Sequence, residues 1–334
     1  MNKTVEFSKH SINVFFHILT RCNLSCRHCY INPSQHGDKI LPLETIIKWL
    51  GAFTYTDKNT NLIFLGGEPT LHPELDSAVI AAKQMGYASV TIDTNGYLFN
   101  DILNKITPED VDFISFSLDG ATRKTNDLIR GIGCYDNCIS GIKQAVRVGF
   151  NTSLIFTVSN ENIHELALMP PLIKELGIDR FFIQIIGIRG KSVNLQKDRL
   201  QVDRKTWLSL IPAVADHAAN LGITVTYPKV FLNGSDVFEC AGRVADNYFI
   251  FPNGRVYRCP LCEDFPLHSL EFTDDRLIKR KKITEKDLFD LDIAEGCVMN
   301  KLVQPDNLSY DKDGAAEYKI ACCLLKEEVP AVKK

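Results

Sequence analysis

The chain has 334 residues, of which 45% are apolar and 24% charged, and its formal net charge is −3 at pH 7. This balance belongs to a soluble globular protein with a substantial core, either one large α/β domain plus an appendage or two ordinary domains. There is no basic footprint for nucleic acid, no run long enough to span a bilayer and no signal-like opening. Neither nucleic acid nor membrane is therefore expected as a partner, and the expected location is cytoplasmic.

Strand-like runs recur in order: INVFFHIL from Ile12, NLIFLGG from Asn61, SVTIDTNG from Ser89, DFISFSLDG from Asp112, TSLIFTVS from Thr152, RFFIQIIG from Arg180 and ITVTYP from Ile223. Segments of helical period lie between them, beginning at Pro73, Cys138, Met169 and Trp207. Each of these ends on a glycine suited to a left-handed cap, namely Gly86, Gly149, Gly177 and Gly222. The strands are apolar on alternate positions of both faces, which predicts cover on both sides. Strand and helix alternating in this way predict a parallel sheet with crossovers of one hand, and an open doubly wound sheet and a full or partial barrel both fit.

Either architecture builds its site at the carboxyl ends of the strands. Polar or unusual residues gather at those ends: Thr20 to Tyr30, then GGEPT from Gly66, DTNG from Asp93, SLDG from Ser117, then Asn160, with Gln184 in the sixth strand. After Pro228 the rhythm stops. Residues 229–325 hold short β-like pieces, with a turn at Pro252-Asn253-Gly254, and residues 326–334 read as a disordered tail. The charged stretch from Asp275 to Asp290 reads as a solvated face or connector.

Eleven cysteines in a chain with no export signal point to thiols or thiolate ligands rather than a disulfide framework. Cys22, Cys26 and Cys29 form a C-x3-C-x2-C run on the loop that leaves the first strand. A structural zinc would need a fourth ligand, for which His17, His28 and His36 are candidates, and local spacing leaves zinc and an iron–sulfur cluster open. Cys134 and Cys138, at the start of a helix, read as buried thiols.

Taken together, CNLSCRHC, GGEP, TNG and SLDG on successive strand ends resemble the signature elements of the radical S-adenosylmethionine (SAM) superfamily, over roughly residues 12–228. His28 stands where that family usually has an aromatic ring. The resemblance implies an α/β fold, a partial (β/α)6-type TIM barrel with a small cysteine-rich α+β extension. It also implies a [4Fe–4S] cluster on Cys22, Cys26 and Cys29 whose open iron chelates SAM. Reduction would then cleave SAM to methionine and a 5′-deoxyadenosyl radical that abstracts hydrogen from a substrate. By the same resemblance Gly66, Gly67, Glu68, Thr94, Asn95, Ser117, Asp119, Arg130 and Gln184 are candidates for holding SAM or substrate, with Glu68 accepting from the methionyl ammonium. Taken singly, Asn95-Gly96 and Asp119-Gly120 also read as plain turns, and Arg130 as a surface ion pair.

A second set begins with Cys240, followed by Gly254 and Cys259 in a C-x13-G-x4-C arrangement that resembles the start of the SPASM/twitch extensions of that family. A hairpin from Tyr248 to Cys259 would bring Cys240 and Cys259 together. The downstream cysteine run of a full SPASM region is missing, so one auxiliary [4Fe–4S] cluster is expected, on Cys240, Cys259 and two of Cys262, Cys297, Cys322 and Cys323. A zinc site seeded by CPLC is the competing reading. The implied partners are a peptide or small-molecule substrate and an electron donor such as flavodoxin or ferredoxin. The alternative is a non-catalytic iron–sulfur or zinc protein on the same scaffold, against which the intact Glu68 and three signature cysteines count.

Overall fold

The computed structural model describes residues 3–7, 10–54, 57–198, 200–233, 236–280 and 283–332. Its strands, in chain order, are β1 (Lys3–Val5), β2 (Ser11–His17), β3 (Asn59–Leu65), β4 (Ser89–Thr94), β5 (Phe113–Ser117), β6 (Thr152–Val158), β7 (Arg180–Ile185) and β8 (Thr224–Pro228). They continue as β9 (Phe231–Leu232), β10 (Asp246–Ile250), β11 (Arg255–Tyr257), β12 (Leu270–Thr273), β13 (Arg276–Lys279), β14 (Lys319–Ile320) and β15 (Lys326–Val329).

Strands β2 to β8 lie side by side in chain order and all run parallel. A doubly wound sheet would reverse its order at a switch point. An unreversed order instead curls one way, as in a barrel. The barrel stays open, because β2 takes β10 as its other neighbour and β8 takes β15. The result is an α/β partial barrel.

Strand burial alternates rather than covering both faces. In β2, Val14 and Phe16 are fully buried against the outer helices while Asn13 and Phe15 face the concave side and are half-buried. The outer layer comprises the helices Leu43–Gly51, Leu75–Gln84, Cys134–Val148, Met169–Glu175 and Arg204–Asn220. Phe16, Phe64, Phe116, Phe156 and Phe181 are fully buried beneath it, each stabilising the fold by about 1.5–3 kcal/mol through burial. The helix-ending glycines Gly86, Gly149, Gly177 and Gly222 all have positive φ, from 74° to 99°. Only the concave face is left to receive a ligand, and its polar alternation is the price of an open barrel that packs helices on one side.

The C-terminal extension continues the main sheet, because β10 pairs parallel with β2 and carries it on through β11, β12 and β13. Phe15 and Phe249 stack across that join with centroids 4.5 Å apart. The expectation of a disordered C-terminal tail is corrected. Residues 326–329 form β15, hydrogen-bonded between β8 and β1, with Val329 buried in the main core; residues 333–334 lie outside the described residues. Residues 281–282 of the charged stretch also lie outside them. Among the described residues no helix is long and apolar enough to cross a membrane.

Candidate functional site

The loop after β2 carries Cys22, Cys26 and Cys29, all half-buried free thiols. Hydrogen bonds from Arg27 N to Ile129 O (2.9 Å) and from Cys29 N to Cys26 O (3.3 Å) fix its course over the end of the helix Arg123–Arg130. Leu24 N donates to Cys22 Sγ at 3.3 Å, and the Asn95 amide lies 3.8 Å from the same sulfur. Burial pushes the Cys26 thiol up to about 11 against the pull of the Arg130 guanidinium, and Cys29 and Cys22 are close enough to push it further.

The GGEP turn at the end of β3 supports this loop backbone to backbone. Gly67 N donates to Leu19 O and Glu68 N to Arg21 O, each at 3.0 Å. A Cβ on Gly66 would stand 2.8 Å from Leu19 O, and one on Gly67 only 2.3 Å from Arg21 O. The glycines are required by the approach of the cysteine loop itself, a reason the sequence reading did not contain.

Glu68 is 1% exposed, and its carboxylate accepts from Thr70 N (3.1 Å), Thr70 Oγ1 (2.6 Å), Thr94 Oγ1 (2.8 Å) and Asn95 N (2.7 Å). Burial raises its pKa and these donors pull it back. Oε1 accepts three of these bonds and Oε2 one, so the carboxylate ties the third strand end to the fourth while Oε2 keeps a lone pair for a further donor. Thr94 and Asn95 are held by the same carboxylate, and the Asn95 side chain donates to Asn23 Oδ1 at 2.8 Å, joining the cysteine loop.

Asp119 and Arg130 also meet, although not at the surface. Asp119 is fully buried, accepts from Thr157 N at 2.7 Å, and lies 2.6 Å from Arg130 Nε and 3.4 Å from His28 Nε2. Arg130 is 9% exposed, so the pair is an internal strut under the cysteine loop rather than a surface ion pair. Cys134 Sγ and Cys26 Sγ both point at the Arg130 carbonyl, at 3.4 and 3.8 Å. Cys138 reaches the Ser117 carbonyl at 3.6 Å and packs as a buried thiol. Ser117 and Gln184 stand on the concave face at the ends of β5 and β7, Gln184 exposed.

The histidines considered for a zinc site are engaged elsewhere. His17 donates from Nδ1 to the Ile250 carbonyl (3.1 Å), which leaves Nε2 to accept from Tyr30 Oη (2.7 Å). Burial lowers its pKa to about 3. His36 accepts from Asn32 N and donates to Glu263 O, and burial lowers it to about 4. His28 faces Asp119. Among the described residues no group of three or more His, Cys, Asp or Glu is arranged to hold a single metal ion.

The C-terminal cysteines gather as well. Cys240, Cys259, Cys297, Cys322 and Cys323 line one pocket walled by Phe238, Leu288, Phe289, Met299 and Leu324. Cys262 is buried beside Cys259 outside that lining. The hairpin places Cys240 before β10 and Cys259 after β11. Cys297 N donates to Ile320 O, and the Asn300 amide to Ala321 O at 2.6 Å, which bring Cys297 to Cys322. Burial pushes Cys240 up to about 12 and Cys297 further, whereas the neighbouring Cys323 pulls Cys322 down to about 7.

Several residues of this arrangement escaped the sequence reading. Glu285, fully buried, accepts from Arg258 N (2.6 Å), Cys259 N (3.2 Å) and Ser269 Oγ (2.7 Å), and so holds the Cys259 turn. Asp93 on the concave face of β4 is pushed up to about 7 by burial, with Ser115 hydrogen-bonded to it and Glu68 adding its charge. Arg189 and Tyr30 stack between the two thiol groups. No local motif marks any of them. Tyr30 and Asp93 fall inside strand-end stretches that the sequence singles out, without a role of their own there.

Thiolates are the ligands of iron–sulfur clusters. The first loop offers three of them, with no imidazole or carboxylate among them, beside a fixed cation and a backbone cradle. That donor set fits a cluster that keeps one iron open.

Comparison with known proteins agrees with the geometry. The Radical SAM superfamily model matches residues 16–169. A probable GTP 3′,8-cyclase of Saccharolobus islandicus (strain L.S.2.15 / Lassen #1) is 34% identical over 164 residues, 48% of this chain and 53% of that protein. An Fe-coproporphyrin III synthase of Methanosarcina barkeri is 31% identical over 213 residues, 60% of this chain and 52% of that protein. The chain therefore spans about half the length of the curated relatives it matches. In fold it is similar to Streptococcus suis SuiB bound to precursor peptide SuiA, with TM-score 0.63 and 17% identity over 92% of this chain and 69% of that one. It is similar also to anSMEcpe bound to AdoMet and a peptide, with TM-score 0.61 and 14% identity over 90% and 85%. Over residues 16–169, this chain is similar to the radical SAM superfamily.

Proposed function

We propose that the chain is a radical SAM enzyme acting on a peptide or small-molecule biosynthetic substrate. The observation that carries this reading is the loop of three half-buried thiols whose leading backbone, Leu19 to Arg21, seats on Gly66-Gly67 at the carboxyl ends of the parallel strands. Cys22, Cys26 and Cys29 would hold a [4Fe–4S] cluster, which supplies the electron that cleaves SAM to the hydrogen-abstracting radical. The chain's own residues orient and shield. Glu68 locks the Thr94-Asn95 turn, the Asp119–Arg130 pair keeps a cation beside Cys26, and Ser117 and Gln184 present polar groups on the concave face.

Residues 229–325 would form a SPASM/twitch-like region with one auxiliary [4Fe–4S] cluster. Cys240, Cys259, Cys297 and Cys322 are the favoured ligands, since they arrive from separate segments and line one pocket, with Cys323 beside them. Flavodoxin or ferredoxin would supply the electron. The relatives named for a nucleotide cyclase and a porphyrin synthase favour biosynthesis as the setting. The test is anaerobic reconstitution with iron and sulfide, followed by dithionite and SAM. Formation of 5′-deoxyadenosine is expected, and its absence from cluster-loaded protein would refute the reading.

A further inference from the structure

Arg189 lies just after β7, in a segment that touches both thiol groups. On one side its guanidinium stacks over the Tyr30 ring, 4.5 Å from the centroid. On the other, Nη1 donates to the Pro260 carbonyl (2.6 Å), inside the Cys259-Pro260-Leu261-Cys262 turn, and pairs with Glu263 Oε2 at 3.0 Å. The backbone of the same segment grips the first loop. Lys191 N donates to Cys29 O at 2.9 Å, and a Cβ on Gly190 would lie 2.5 Å from that oxygen. Tyr30 is held in turn by His17, whose other nitrogen binds Ile250 at the end of β10. Cys29, Tyr30, Cys259, Cys262, Cys297 and Cys323 belong to or pack against one buried apolar cluster.

A buried guanidinium is costly unless its donors are met, and one that is met on two sides fixes the distance between them. We propose that Arg189 is a positioning residue. It fixes the Cys29 end of the first thiol loop against the Cys259–Cys262 turn of the second, so that filling the second site orders the first. This rests on the two-site reading above. The contacts bear on it directly: the guanidinium stacks on a ring next to Cys29 and donates both to a carbonyl next to Cys259 and to Glu263.

The test uses the full-length, anaerobically reconstituted protein, with hydrogen exchange read peptide by peptide. In Arg189→Met, exchange across residues 26–31 should be about tenfold faster, while β5 and the iron content stay as in the parent. Arg189→Lys, which keeps a donor, should lie between. Emptying the second site with Cys297→Ser and Cys322→Ser should speed exchange at 26–31 in the Arg189 parent and add nothing in Arg189→Met. Unchanged protection in Arg189→Met, or an undiminished effect of emptying the second site, overturns the proposal. Should Arg189→Met lose its cooperative melt, Glu263→Gln and Arg189→Lys carry the same comparison. If the parent takes up only one cluster, the two-site reading fails on its iron content, and the exchange at 26–31 still decides whether Arg189 holds the first loop.

Discussion

The two groups of thiols use the same donor atom in opposite surroundings. Cys22, Cys26 and Cys29 come from one short loop, stay half-buried, and are surrounded by backbone amides, Asn95 and a paired cation. The C-terminal thiols arrive from separate segments between Cys240 and Cys323 and meet in a pocket walled by Phe238, Leu288, Phe289, Met299 and Leu324. A loop that leaves one side polar and accessible suits a centre that must receive a ligand. A pocket closed by apolar side chains suits a centre with protein ligands throughout. What differs is how each site is assembled: the first by sequence proximity and the second by the fold.

The sharpest way to break this comparison is to remove one ligand from each group. Cys26→Ser should lower 5′-deoxyadenosine formation by about a thousandfold or more, because loss of one of three ligands removes the cluster altogether. About four irons per chain should remain, held by the C-terminal thiols. If activity survives, or if both sites empty together, the thiols of the two regions are not independent centres. The reciprocal change, Cys297→Ser, should halve the iron content from about eight per chain and spare SAM cleavage in the absence of substrate to within about tenfold. A loss as severe as that of Cys26→Ser would show that the C-terminal pocket serves the cleavage step itself.

The backbone under each site offers the next contrast. A Cβ on Gly67 would stand 2.3 Å from Arg21 O and 2.4 Å from Thr20 O, both main-chain atoms that cannot swing aside. Gly67→Ala should therefore cost about 3 kcal/mol of stability and displace the cysteine loop. At the second site the atoms nearest a Cβ on Gly242 belong to the ring of Phe289, from 2.5 Å. A side chain can turn away, so Gly242→Ala should cost about 1 kcal/mol. Thermal melts of the two variants at one ionic strength compare them, and equal losses would mean that the second site is as rigid as the first.

How much of this was legible in the sequence follows the same division. The first loop could be read because its cysteines are neighbours in the chain and its supports, GGEP and TNG, close successive strands. The alternation of strand and helix could be read because four crossovers end on glycines that the structure finds at positive φ, Gly86, Gly149, Gly177 and Gly222. The strand order could not, since a doubly wound sheet and a barrel share that alternation. Glu285 could not, because it reaches Cys259 N only after β12 and β13 fold back between them. Nor could the struts: Asp119 and Arg130 looked like a turn and a surface charge until the helix Arg123–Arg130 brought Arg130 back to Asp119 in the interior. The strand β15 was missed because KEEV is mostly charged, and it becomes a strand only because β8 and β1 present open edges on either side. Expecting both faces of the sheet to be covered was an error of the same kind, since alternation in a partial barrel reports one covered face and one open one.

The open face carries the smallest and most selective prediction. Asp93 stands on β4 in register beside Ser115, and burial has moved its pKa from the ordinary 3.8 up to about 7. The folded chain thus keeps a proton on Asp93 between about pH 4 and pH 7 where the unfolded chain has released it. A raised carboxyl pKa therefore stabilises the fold at low pH, and that contribution falls as pH rises through this window and is gone above it. Asp93→Asn removes the titration. Its stability relative to the parent should rise by about 2 kcal/mol between pH 5 and pH 8, less than the full shift implies because the side chain is only half-buried. Urea midpoints at the two pH values measure this directly. Parallel curves for parent and variant would mean that Asp93 is hydrated on the concave face, and a falling difference would mean that a cation reaches it there.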